Sequence, residues 1–213
     1  LLLKRLAKSK RVEQIVLATS EDSCNEELEN YVFGLGFTVF RGSEDDVLDR
    51  YYRTAIEANA DVIVRVTGDC PLIDPSLVDA MIENFIEKGV CYASNISPPT
   101  FPDGLDVEVF TFKALEKAWS QAKQKSEREH VTPFIKNSDQ FAKWNLIYPA
   151  DYSSQRWTVD ESADLEVVRK IFDHFHPRRD FGWLEVLDLH KEHPEWFVAN
   201  KNIARNEGLK LGS

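Results

Sequence analysis

Two carboxylates in this sequence stand where an α/β sheet keeps its chemistry. Asp69 follows the apolar run 61–66 (DVIVRV) through Thr67-Gly68, and Asp160 follows the short run 156–159 (RWTV); a helical pattern comes after each. In open α/β sheets, ligands bind beyond the carboxyl ends of the strands. Two acidic side chains at neighbouring strand ends suit Mg²⁺, which takes one or two carboxylates, keeps waters and accepts phosphate oxygens for its remaining positions. Taken singly, Asp160 is equally well explained as the cap of the helix that begins at Glu161, and Asp69 as the acceptor of a turn amide. The pairing favours the metal.

Arg65 interrupts an apolar strand pattern between Val64 and Val66, where an unpaired charge is costly to bury. It calls for a structural carboxylate or for an anion such as a nucleotide. Alternation over 105–111 puts Asp106 and Glu108 on one face and Val107 and Val109 on the other; a solvated sheet face explains this, and so do acceptors for the hydroxyl groups of a polar ligand. Arg128, Glu129 and His130 open a helical segment, either as solvated helix-start charges or as holders of an anion. Cys70 has no cationic neighbour in sequence to lower its pKa and is read as a small buried residue.

The elements that must position these groups alternate. Branched runs at 13–19, 37–40 and 61–66 predict strands, and amphipathic stretches at about 20–31, 44–59 and 75–89 predict helices. Asp74-Pro75 opens the third helix and Gly89 closes it. That rhythm implies a doubly wound α/β fold whose first half is an open parallel sheet. Further along, a Pro-rich loop at 95–104 precedes a half-exposed strand at 105–111. Helices follow at 112–123 and 127–137, strands at 141–148 and 156–159, and a strongly periodic helix at 161–174. A helical tail at 182–206, broken at Pro194, carries Trp183, Trp196 and Phe197 and invites a homodimer. The domain division expected is 1–178 for the ligand-binding domain and 179–213 for the tail.

Composition narrows the function classes. The chain has 213 residues, 43% hydrophobic and 29% charged, which fits a packed globular fold. Its net charge of −10 argues against nucleic acid or an anionic membrane as a partner, so any phosphate must be held locally. No run approaches the roughly 18 apolar residues of a membrane span. Three cysteines without CxxC spacing indicate neither a disulfide framework nor a zinc knuckle, and point to a reducing, cytoplasmic compartment.

Five stretches, 41–52 (RGSEDDVLDRYY), 62–75 (VIVRVTGDCPLIDP), 101–110 (FPDGLDVEVF), 128–135 (REHVTPFI) and 156–160 (RWTVD) with Asp164-Leu165, resemble the spore coat polysaccharide biosynthesis protein F family. That family is similar to the cytidylyltransferases that make CMP-activated acidic sugars. The resemblance spans nearly all the chain to about Arg169. It implies a nucleotide-diphospho-sugar transferase type of sheet, an enzyme that moves CMP from CTP to a sugar and releases pyrophosphate, and Mg²⁺ held by Asp69 and Asp160. It further suggests Arg65, Ser43 and Arg50 toward the nucleotide, and Asp106, Glu108, Arg128 and His130 toward the sugar. Relatives usually read Asp-Thr-Pro-Glu-Asp-Leu where this chain has Asp160-Glu161-Ser162-Ala163-Asp164-Leu165, so the metal Asp is kept and the cap altered. Relatives also open with a strand and a phosphate-wrapping loop not found here, and the expectation is an N-terminal segment upstream of Leu1 or a filler for its slot. Two rivals stand beside this reading. One is a glycosyltransferase of related fold, with Asp106-Val107-Glu108 as an approximate DxD; the other is a noncatalytic binding module.

Overall fold

The computed structural model describes residues 1–203 and 205. After the short helix α1 (Leu2–Leu6), strand β1 (Val16–Ser20) pairs in parallel with β2 (Thr38–Gly42), and helix α2 (Glu26–Gly34) makes the crossover. Helix α3 (Val47–Glu57) is started by Asp46, whose carboxylate accepts the amide of Asp49 at 2.9 Å, and it turns Leu48 and Ala55 inward. Helix α4 (Pro75–Lys88) is capped by Asp74, whose side chain accepts from the amides of Ser76 and Leu77; Gly89 closes it at φ 60°, the left-handed conformation glycine adopts without a Cβ penalty.

The second sheet departs from the parallel expectation. Its order is β3 (Val62–Arg65), β5 (Glu108–Thr111), β4 (Tyr92–Ser94), β6 (Lys143–Asn145). β5 runs antiparallel to both neighbours, and β4 is parallel to β6. The fold is therefore mixed α/β with parallel elements. The loop at 95–104 returns the chain between β3 and β4, which reverses the inserted strand.

β5 is also not half-exposed. Phe110 packs with Tyr92 and Leu48 on one side of the sheet, while Val107 and Val109 pack with Ala93, Val78 and Met81 on the other. Polar residues in that stretch were compatible with a solvated face, but Glu108 is 2% exposed because it meets a cation across the sheet.

Helix α5 (Phe112–Gln121) follows directly on β5. The predicted single helix at 127–137 is two, α6 (Lys125–His130) and α7 (Pro133–Asn137), because Pro133 starts a helix rather than continuing one. The predicted strand at 156–159 joins no ladder. It is extended chain with one isolated bridge, from Arg156 to Asp103.

Helix α8 (Ser162–Phe175) then buries Val167, Val168 and Ile171 against Trp157 and Leu105. The tail, helix α9 (Trp183–Glu192) and a 3₁₀ turn (Pro194–Phe197), joins the same cluster with Trp183, Val186, Leu187 and Phe197. Trp183 and Phe197 are thus buried within the chain itself, so they offer no apolar surface to a second copy. Arg5 ties the front of the chain to this region: buried, it donates to the carbonyls of Leu72, Ile73, Arg179 and Phe181. The part of the predicted tail from 206 onward, and Ala204, lie outside the described residues.

Candidate active site

Where β3 and β4 end and β5 begins, a cleft of about 1050 Å³ opens. Asp69 sits in the turn after β3, and extended chain from Gln155 to Asp160 is laced across that turn. The Val159 amide donates to the Asp69 carbonyl at 2.8 Å, and the Thr158 hydroxyl donates to the Asp69 carboxylate at 3.0 Å. From the other flank, the Asp103 amide donates to the Gln155 carbonyl at 2.9 Å, and the Trp157 amide to the Asp103 carbonyl at 2.7 Å. Gly104 permits this approach: its φ is +99°, and a Cβ there would stand 2.6 Å from the Thr158 nitrogen. The next residue, Asp160, lines the same cleft as Asp69. Asp160 is 51% exposed and accepts from the Arg156 guanidinium at 2.6 Å.

Arg156 is the hub of this wall. Its guanidinium grips both oxygens of Asp164 at 2.9 Å and also reaches Asp103 at 3.2 Å. Asp164 in turn accepts the amides of Asp160 and Glu161, which would otherwise be orphans at the start of α8. Burial pushes the Asp164 carboxyl up, but the hydrogen bonds from Arg156, Asn200 and those amides outweigh it and hold it below the ordinary carboxylate value.

The floor is Glu108, directly opposite Arg65 in the β3–β5 register. Glu108 accepts from Arg65 at 2.6 Å, from the Tyr92 hydroxyl at 2.6 Å and from the Thr132 hydroxyl at 2.7 Å, with Lys136 at 3.6 Å. Burial alone would raise its pKa; Arg65, Lys136 and the two hydroxyls reverse that and leave it below the ordinary value. Arg65 therefore has the structural carboxylate its sequence context called for, and its Nε finds no hydrogen-bond partner among the described residues. Val131, between His130 and Thr132, holds φ +70°, strained for a β-branched residue. Asp106 lies beside Glu108, and burial pushes its carboxyl up to about 6 even though Arg205 pairs with it. The Cys70 thiol is raised by burial and by Asp69, which leaves it protonated and inert.

Of the nine residues singled out from sequence, Arg65, Asp69, Asp106, Glu108, His130 and Asp160 line this cleft, and Ser43, Arg50 and Arg128 do not. Those three gather at the start of α3: the Ser43 hydroxyl accepts the Asp46 amide, Arg50 donates to the Ser43 carbonyl, and Arg128 grips Asp46 and the Trp119 carbonyl. Residues the sequence reading gave no role, Arg156, Thr158, Lys136 and Arg205, line the cleft as well. The i, i+4 pairing of Arg156 with Asp160 was the one local signal for any of them; Arg205 comes from so far along the chain that only folding reveals it.

Six carboxylates (Asp69, Asp103, Asp106, Glu108, Asp160, Glu161) face four cations (Arg65, Lys136, Arg156, Arg205) around the cleft. This excess suits a hard cation brought with a polyphosphate. Among the described residues no group of three or more His, Cys, Asp and Glu is arranged to hold a metal unaided. Two part-exposed oxygen donors, with the remaining positions supplied by substrate, are the set Mg²⁺ uses at phosphate sites.

The cytidylyltransferase family model matches residues 1–178, and the chain belongs to that family. It is 38% identical over 209 residues to an uncharacterized protein of Methanocaldococcus jannaschii, covering 95% of this chain and 83% of that one. It is 30% identical over 187 residues to the spore coat polysaccharide biosynthesis protein SpsF of Bacillus subtilis, covering 86% and 77%. A solved cytidylyltransferase from Leptospira borgpetersenii superposes with a TM-score of 0.89 at 32% identity, covering 95% of this chain and 85% of that one. The chain is thus an SpsF-like nucleotidyltransferase. Among the described residues no helix is long and apolar enough to cross a membrane.

Proposed function

We propose that this cleft transfers a cytidylyl group from CTP to a sugar hydroxyl. The hydroxyl oxygen attacks the α-phosphorus, the bond to the β-phosphate oxygen breaks in line, pyrophosphate leaves, and the hydroxyl proton passes to solvent. Such a reaction asks the protein chiefly to align the nucleophile and offset charge. Asp69 and Asp160 are the residues that would hold Mg²⁺, which when bound supplies Lewis-acid neutralisation of the phosphate oxygens. Arg65, which lines the cleft, is offered to the nucleotide. His130 and Asp106 are offered to the sugar. Glu108 supports the site from below, its oxygens already engaged by Arg65, Tyr92 and Thr132.

The observation that supports this reading is that Asp69 and Asp160 both line the cleft, with the turn of Asp69 held by the 2.8 Å bond from the Val159 amide to its carbonyl. The test is incubation with CTP labelled at the α-phosphate, Mg²⁺ and a panel of sugars. Label appearing in a CMP-sugar with matching pyrophosphate supports it. Transfer of sugar from a nucleotide-sugar would instead identify the glycosyltransferase rival, and absence of heat on titrating CTP with Mg²⁺ the noncatalytic one. Glu108 weighs against the former, because a buried, fully engaged carboxylate is poorly placed to act as the second acid of a DxD pair.

The finer topology belongs to the same proposal. Among the described residues β1 pairs with β2 alone and β3 with β5 alone, so each keeps one edge without a ladder partner. A strand paired there, with a phosphate-binding loop after it, would satisfy those backbone groups. A cytoplasmic setting accords with the free thiols of Cys24, Cys70 and Cys91.

A further inference from the structure

The tail beyond residue 178, outside the matched family region, reaches the Arg156–Asp164 pair through Asn200. Asn200 is 2% exposed, and its amide nitrogen donates to the Arg156 carbonyl at 3.0 Å and to Asp164 at 2.8 Å. Asp164 is fully buried and fixes the Arg156 fork through two bonds of 2.9 Å. The same guanidinium nitrogen that bonds one Asp164 oxygen also holds Asp160 at 2.6 Å. Burial falls off along this series: Asp164 and Arg156 are 0% and 6% exposed, and Asp160 is 51% exposed. An ordinary exposed i, i+4 pair does little to fix a carboxylate, because both side chains move. Here the cation is immobilised from behind, so the exposed carboxylate alone pays the cost of ordering.

We propose that Arg156 is a positioning residue for Asp160, and that Asn200, through Asp164, is the far anchor by which the docked tail sets the aim of that carboxylate toward a divalent cation. The proposal rests on Asp160 being a metal-holding residue. Partners that orient metal ligands typically account for about ten- to a hundredfold in metal affinity.

The test uses the full chain and Mn²⁺ as probe, its binding in the presence of CTP followed by the loss of free-ion electron paramagnetic resonance signal. Asn200→Leu keeps the side chain's bulk and removes both bonds; it should weaken Mn²⁺ binding about tenfold while leaving the KM for sugar unchanged. Arg156→Lys, which keeps the charge and loses the fork, should weaken it further. Asn200→Ser serves if the leucine variant does not fold. A folded Asn200 variant that binds Mn²⁺ as the parent does overturns the proposal. Asp160→Ala separates the two layers: if it abolishes Mn²⁺ binding and the Asn200 variants do not, only the relay fails. If Asp160→Ala binds Mn²⁺ normally, the metal reading fails and the relay with it.

Discussion

Replacing Glu108 with glutamine would strike the floor of the cleft at its most connected point. The carboxylate is 2% exposed and takes bonds from Arg65, Tyr92 and Thr132 within 2.7 Å. An amide can still accept from the two hydroxyls, but its NH₂ then faces the Arg65 guanidinium, donor against donor. Breaking a buried ion pair from one side costs about 3–5 kcal/mol, because the remaining charge keeps its desolvation penalty. The expected loss at pH 7 is therefore about 3–5 kcal/mol in urea unfolding followed by tryptophan fluorescence. The sign with pH follows from the folded Glu108 pKa lying below the ordinary value of 4.5. The carboxylate's stabilisation is complete above that value and disappears as pH falls through the lower, folded one. The gap between parent and variant should thus close in acid. A loss under about 1 kcal/mol at pH 7, or one independent of pH, would refute the view of Glu108 as a charged keystone. Replacing both members, Arg65→Met with Glu108→Leu, should recover much of the stability while removing the guanidinium from the cleft.

Four further outcomes are expected. Asp69→Asn retains the Thr158 hydrogen bond and the fold, and should lower kcat by about 10²–10³ in a pyrophosphate-release assay; an unchanged rate eliminates Asp69 as a catalytic residue. Gly104→Ala forces a Cβ to within 2.6 Å of the Thr158 backbone at φ +99°, so thermal melting should show a loss of more than about 2 kcal/mol together with reduced activity. Arg5→Met strands four carbonyls and should cost about 4 kcal/mol by the same measurement, without a specific change in KM for CTP. For Asp106, with a folded pKa raised to about 6 from 3.8, the unfolded chain ionises first, so its contribution to stability falls as pH rises between those values. Asp106→Asn should accordingly gain on the parent from pH 4 to pH 7, by at most about 3 kcal/mol, and denaturant midpoints across that range check it.

Local chemistry made much of this molecule readable in advance. Asp74-Pro75 and Gly89 bound α4 because a cap, a proline and a left-handed glycine act within a few residues. Arg65 in an apolar strand demanded a counter-charge on energetic grounds, and the rule that strand ends carry ligands pointed to the turn after β3, where Asp69 lines the cleft. Pairing order was not readable in this way. Whether the strand at 105–111 inserts between its predecessors depends on a ten-residue loop, and that insertion turned Glu108 from a candidate sugar ligand into the buried partner of Arg65. The tail was read as inviting a homodimer because its aromatic residues have no local partner; Trp183 and Phe197 instead join the buried cluster that holds Trp157 and the inner face of α8, with Trp196 partly buried against it. Sequence thus determined the residue types at the cleft and the helix boundaries, which are short-range effects. Tertiary structure alone decided which charges meet, because Asn200, Asp164, Arg156 and Asp103 converge only once long-range burial makes each require a partner.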